Sequence, residues 1–155
     1  MTQQISDAEL RAILTTNRRI ALVGASAKPD RPSNGVMRFL LRHGYEVTPV
    51  NPGLAGKQIH GREVAASLAE AAPFDMVDLF RRPTEVLEPV REAIRLGAKT
   101  IWMQLGVVNE AAAREAREAG LAVVMNRCPV IELPRLGIFG PQAAPLNSPE
   151  GRFTT

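Results

Sequence analysis

Residues 20–52 read IALVGASAKPDRPSNGVMRFLLRHGYEVTPVNP. An apolar run at 20–23 leads into a loop of small and charged residues. Apolar positions then recur at Val36, Met37, Leu40 and Leu41, and a second apolar run ends at Val50. Spacing of three and four marks one face of a helix, and Gly44 supplies its stop. Strand, loop, helix and strand in that order form a βαβ unit, whose two strands must run parallel.

Working outward, the same theme repeats along the chain. Strands are predicted at 19–23, 46–50, 76–80, 99–103 and 121–125, several with apolar residues on both faces. A parallel strand covered by helices on both sides needs that pattern. Helices are predicted at 6–15, with Ser6 or Asp7 as N-cap, and at 33–43, 63–69, 83–96, 109–119 and 129–136. Asn109 opens the fifth of these and Gly120 ends it. Pro89 implies a kink or a late start in the fourth. Strands alternating with helices make an α/β domain, a Rossmann-like three-layer fold on a five-stranded parallel sheet. The expected order, counting sheet strands along the chain, is 3-2-1-4-5. Ligands of such sheets bind beyond the carboxyl ends of the strands, here at the switch between the first and fourth. One domain is expected over 1–140, with an extended tail at 141–155 that is rich in proline and small polar residues.

A chain of 155 residues is the size of one domain. Hydrophobic residues at 45% and charged residues at 23% fit an ordinary globular protein. No apolar run reaches the roughly 18 residues of a membrane span, and the amphipathic first 19 residues do not read as a secretory signal. A single cysteine, Cys128, excludes an internal disulfide and suits a reducing cytosol, so a cytoplasmic location is expected. The net charge is +3, but no block of five lysines or arginines marks a nucleic-acid surface. Cations gathered around a small anion would account for the charge, and so would scattered surface arginines.

The loop at 24–35 is the first candidate for that anion. Gly24 allows a tight turn, and Ala25 and Ser26 are small enough for a ligand to approach the backbone. Ser33 can cap the following helix, beside Asn34, and Gly35 leaves its first turn open. Helix starts offer unpaired N–H groups and partial positive charge, and Lys28 and Arg31 add full charges. Only Gly24 fits the G-x-G-x-x-G dinucleotide pattern. The acid that would hold ribose hydroxyls after the second strand is replaced by Asn51 and Pro52. A neutral or basic edge suits a ribose that carries its own phosphate. NADP and coenzyme A both meet that description, and a capped loop without a ligand is the plain alternative. Arg81 and Arg82 close the third strand, where one can reach a diphosphate by bidentate pairing or can instead neutralise Asp78. Trp102 reads as core, and Gln104 can bond an amide.

These pieces together resemble the coenzyme A-binding domain family, small bacterial proteins related in fold to the nucleotide-binding domain of the succinyl-CoA synthetase alpha subunit. The matching stretches are VGASAKPDRPSNGVMRFLLRHGYEVTPVNP, KQIHGREVAASL, DMVDLFRRPTEV and GAKTIWMQLGVVNEAAAREAREAGLAVVMNRCPVIE. The resemblance implies a Rossmann-like fold that holds coenzyme A. It places Gly24, Ala25 and Ser26 at the phosphates with Arg31 and Ser33 nearby, and Val50, Asn51 and Pro52 beside the adenosine. Phe80, Arg81 and Arg82 would border the diphosphate and upper pantetheine, and Met103 and Gln104 the pantetheine arm. Asn126 departs from the family pattern, which has an aspartate before the Arg-Cys pair.

Catalytic groups are scarce. His43 sits where a histidine complements a helix dipole, and His60 lies in a loop without an evident carboxylate or nucleophile. Two histidines and one cysteine lack metal-ligand spacing. Cys128, beside Arg127, reads as a small core residue, with a mixed disulfide to coenzyme A as the alternative. The chain is therefore expected to bind coenzyme A or an acyl-CoA without catalysis of its own, as a monomer or homodimer, with neither nucleic acid nor membrane as partner. The alternative is an NADP-dependent reductase or a CoA-linked ligase component that needs a partner subunit. The sole tyrosine, Tyr45, lies at the wrong end of the sheet for a reductase.

Overall fold

The computed structural model describes residues 5–142. Helix α1 (Asp7–Thr16) begins at Ser6, whose hydroxyl accepts the Glu9 N–H while the Glu9 carboxylate accepts the Ser6 N–H. This reciprocal cap is the pairing that serine and glutamate at that spacing encode. There follow β1 (Arg19–Val23), α2 (Pro32–Arg42) and β2 (Glu46–Val50), so the opening βαβ unit stands as read. The chain then makes a small antiparallel hairpin, β3 (Gln58–Ile59) and β4 (Arg62–Glu63), and one turn of helix, α3 (Leu68–Ala71). The hairpin and its neighbours replace most of the helix expected over 63–69. Strand β5 (Met76–Leu79), helix α4 (Leu87–Arg95), β6 (Thr100–Met103), α5 (Glu110–Glu118), β7 (Ala122–Met125) and α6 (Pro129–Leu136) complete the fold. Pro89 lies in the first turn of α4, where its missing N–H costs nothing, so the late start is the correct alternative.

The five main strands are all parallel, in the order β2-β1-β5-β6-β7. Counted along the sheet strands this is 2-1-3-4-5, not the expected 3-2-1-4-5. Pro49 gives the reason. It has no N–H for a second ladder and belongs on an edge strand, and β2 is an edge. By contrast every residue of β5 is buried, as a central strand requires. The topological switch therefore falls between β1 and β5.

Alternation along the strands builds two cores. Ile20, Leu22, Met76, Trp102 and Val124 face α1, α2 and α6, while Ala21, Val23, Val77, Leu79, Ile101, Met103 and Val123 face α3, α4 and α5. Trp102 is fully buried, and its indole N–H donates to the Arg127 carbonyl at 2.7 Å. Tyr45 is buried near the amino ends of the strands, its hydroxyl on the Leu14 carbonyl. Cys128 packs in the first core, in line with a small apolar role. Near Tyr45, at the amino ends of the strands, the His43 ring stacks between Phe39 and Phe139. The Gln142 N–H bonds the Thr15 carbonyl at 2.9 Å, and Arg18 reaches the Gln142 carbonyl at 2.8 Å. Residues 141 and 142 are thus pinned to the body, and the rest of the expected tail lies outside the described residues.

Candidate functional site

The carboxyl ends of β1 and β5 diverge around Gly24. Its φ is +88°, and a Cβ there would collide with the Phe80 carbonyl oxygen. Glycine is thus required for the close approach of two strands at the switch, before any ligand is considered. The Gly24 and Ala25 N–H groups both donate to the Val50 carbonyl, at 3.1 and 3.3 Å. Asn51 then ties two loops together: its amide donates to the Ala25 carbonyl at 2.8 Å and its oxygen accepts the Gly53 N–H at 2.8 Å. Asn34 reaches back from α2 to the Ser26 carbonyl at 2.9 Å. The loop carbonyls are therefore occupied by asparagine amides. Among the described residues, the Ser26 and Ala27 N–H groups have no acceptor. A loop with bound carbonyls and free amides presents positive potential to an anion.

Helix α2 starts with Pro32, and Arg31 takes the N-cap position without a side-chain cap bond. Ser33 does not cap, contrary to expectation. It lies inside the first turn and is buried, because proline fixes the helix one residue earlier. The helix start is left open to an external acceptor. Gly35 faces open space, so packing against the chain does not demand a glycine there. His60, from the β3–β4 turn, places Nε2 3.0 Å from both the carbonyl and the side-chain oxygen of Asn34. Since Asn34 spends its amide on Ser26, both of these atoms are acceptors and Nε2 carries the proton. The partner that His60 lacked in the sequence is thus this first turn.

These elements enclose a cleft of about 670 Å³. Gly24, Ala25, Ser26, Lys28, Arg31 and Ser33 form one wall, Phe80, Arg81 and Arg82 another, and Gln104 to Val107 a third, with Asn51 between. An adjoining crevice of about 530 Å³ shares Gly24, Asn51 and Arg81 and extends along Val50, Pro52, Ala66 to Leu68, Pro89 and Glu92. Arg81 pairs with Glu85 at 3.5 Å, both half-exposed, a contact worth little. Lys28, Arg31 and Arg82 have no ion-pair partner among the described residues. A third hollow, of about 350 Å³ between α1 and the start of β7, contains none of the expected site residues.

Three expected residues, Asn34, Gly35 and Met103, line neither cavity. Met103 is fully buried in the second core and supports the cleft from beneath, and Asn34 acts through Ser26. Neither arginine reaches Asp78. Its side chain is fully buried on the same strand face as Met76, and burial pushes its carboxyl well above the usual range. With its amide nitrogen turned inward, Gln104 reaches the two carboxyl oxygens at 3.0 and 3.3 Å.

Of the end of β6 and the loop after it, only Met103 and Gln104 were expected in the site, and the structure adds Leu105, Gly106 and Val107. Leu105 is exposed, while Gly106 and Val107 line the cleft. Asn126 holds this loop: it adopts φ +62° and accepts the Gly106 N–H at 2.8 Å. An asparagine after a strand, in the left-handed region it tolerates best, was the available signal.

Comparisons with known proteins agree with this geometry. The chain is 38% identical over 127 residues to an uncharacterized protein, YneT, of Bacillus subtilis (strain 168), covering 81% of this chain and 93% of that one. A hypothetical protein from Pyrococcus horikoshii OT3 is 43% identical, with a TM-score of 0.80 over 88% of this chain and 99% of that one. Part of a dinucleotide-forming acetyl-coenzyme A synthetase 1 from Ca. Korarchaeum cryptofilum is 21% identical, with a TM-score of 0.63 over 76% of this chain and 28% of that one; it shares the fold. No helix among the described residues is long and apolar enough to cross a membrane. The CoA binding domain model matches residues 18–134, and the chain belongs to that family.

Proposed function

We propose that the chain binds coenzyme A, free or acylated, across the carboxyl edge of the sheet. The observation that carries this reading is the head of the cleft, where the Ser26 amide, an uncapped helix start and three cations, without acceptor or ion-pair partner among the described residues, converge. Such a set suits a ligand with several phosphates. The adenosine takes the adjoining crevice beside Val50 and Pro52, where Asn51 and Pro52 stand in place of the acid that would hold unphosphorylated ribose hydroxyls, and Glu92 lines the same crevice. Asn51 is engaged in holding the loops, so it serves the ligand by shaping the wall. Phe80, Arg81, Arg82 and Gln104 border the diphosphate and pantetheine, and an acyl group on the thiol would meet Leu105 and Val107 at the mouth. Met103 contributes by packing.

Thermal-shift measurements with coenzyme A, acetyl-CoA, NADP and NAD test the proposal. A ligand at a hundred times its dissociation constant adds about 2.7 kcal/mol, which raises the midpoint by several degrees in a domain of this size. Coenzyme A and acetyl-CoA are expected to give the largest shifts and NAD almost none. Stabilisation by NADP alone would overturn the proposal.

A further inference from the structure

Asp78 has no role in the account above, yet it is an acid in the middle strand of the sheet. Its register neighbours are Leu22 on β1 and Trp102 on β6, both fully buried and apolar. A carboxyl group so placed loses its hydration and must find a partner in the protein. Among the described residues, the only side chain that supplies one is Gln104, one position past the end of β6. Gln104 is 5% exposed, and the part left uncovered lines the cleft. Its side chain thus bridges a buried acid and the ligand space.

The two ends of a glutamine amide have nearly the same shape and opposite hydrogen-bonding character. Its neighbours decide which end points where. Turned oxygen-down, Gln104 would set an acceptor against both oxygens of an ionised Asp78 and could be met by a neutral Asp78 only through its single O–H, with the other oxygen left facing an acceptor. Turned nitrogen-down, it donates to them at 3.0 and 3.3 Å. We propose that Asp78 is a positioning residue that locks Gln104 nitrogen-down, so that the glutamine oxygen faces the cleft as an acceptor for an amide N–H of the bound molecule. This rests on the coenzyme A reading, because the pantetheine arm carries two such N–H groups and the nucleotide's phosphates carry none. The pair thus reads the arm, while the cations and free amides read the phosphates.

Calorimetric titration of the full chain with coenzyme A and with adenosine 3′,5′-bisphosphate, which lacks the arm, separates the two. Asp78→Leu is expected to weaken coenzyme A about 5–10-fold, the scale of one hydrogen bond, and to leave the bisphosphate within about twofold, whereas Asp78→Asn, whose amide oxygen can still accept from Gln104, should weaken coenzyme A less. Gln104→Met, which removes the cleft-facing acceptor and leaves Asp78 in place, should behave as Asp78→Leu does. The double variant Asp78→Leu with Gln104→Met should bind coenzyme A no more weakly than Gln104→Met alone. Unchanged coenzyme A affinity in Asp78→Leu, equal weakening of both ligands, or additive losses in the double variant would overturn the assignment while leaving coenzyme A as the ligand. Failure of the unaltered protein to bind coenzyme A would remove both.

Discussion

Gly24 shows how a single position can serve both architecture and site. Its left-handed φ and the nearby Phe80 carbonyl leave no room for a side chain. Gly24→Ala should destabilise the protein by about 3 kcal/mol or more, with loss of coenzyme A binding, as measured by chemical denaturation and titration. Asp75 and Asp78, three residues apart, have opposite fates. At Asp75 burial pushes the carboxyl up most strongly of any single influence, but hydrogen bonds from the Arg19 and Arg18 N–H groups and the Arg19 guanidinium together outweigh it and hold the group low. A depressed folded-state value adds stability that is present above the ordinary aspartate value of 3.8 and lost as pH falls through the folded one. At Asp78 no backbone N–H or guanidinium donates among the described residues, and burial raises the folded-state value. Stability from its neutral form is complete below 3.8 and disappears as pH rises through the folded value. Denaturation from pH 3 to pH 8 should therefore show Asp75→Asn losing ground to the unaltered protein as pH rises from 3, and Asp78→Asn gaining. Parallel curves would contradict both environments.

At the scale of elements, the site depends on clamps between pieces that are far apart in sequence. Asn51 binds the end of β2 to the loop after β1, Asn126 binds the end of β7 to the loop after β6, and His60 binds the β3–β4 hairpin to the first turn of α2. The hairpin is too small to be stable by itself, so this contact serves both partners. His60→Ala should lower the melting midpoint by about 2–4 °C, the effect of one hydrogen bond in a domain of this size. It should also weaken coenzyme A several-fold, because Asn34 then holds the Ser26 carbonyl less firmly away from the cleft. Scanning calorimetry and titration would check this, and unchanged affinity would show that the hairpin does not support the loop. Only part of this was legible beforehand. The Ser6 and Asn109 caps were, because capping depends on neighbouring residues. Ser33 was misread because Pro32 in the same turn outranks it in setting where the helix begins.

At the scale of the whole molecule, a parallel sheet gathers the ends of β1, β2, β5 and β6 at one edge, and residues from four segments meet in one cleft. The sequence by itself determined the βαβ repeat, the parallel sheet, five places where strands end, and the loop glycine and cations. These follow from periodicity and turn chemistry over a few residues. The order of the strands, the turn of Asn51 and Asn34 onto loop carbonyls, and the burial of Asp78 against Gln104 were decided only by the tertiary structure. Each of these depends on which distant segment becomes a neighbour, and local hydrophobic spacing carries no record of that choice. Pro49 was the one exception, since a residue without an N–H favours the edge of a sheet wherever the rest of the chain goes.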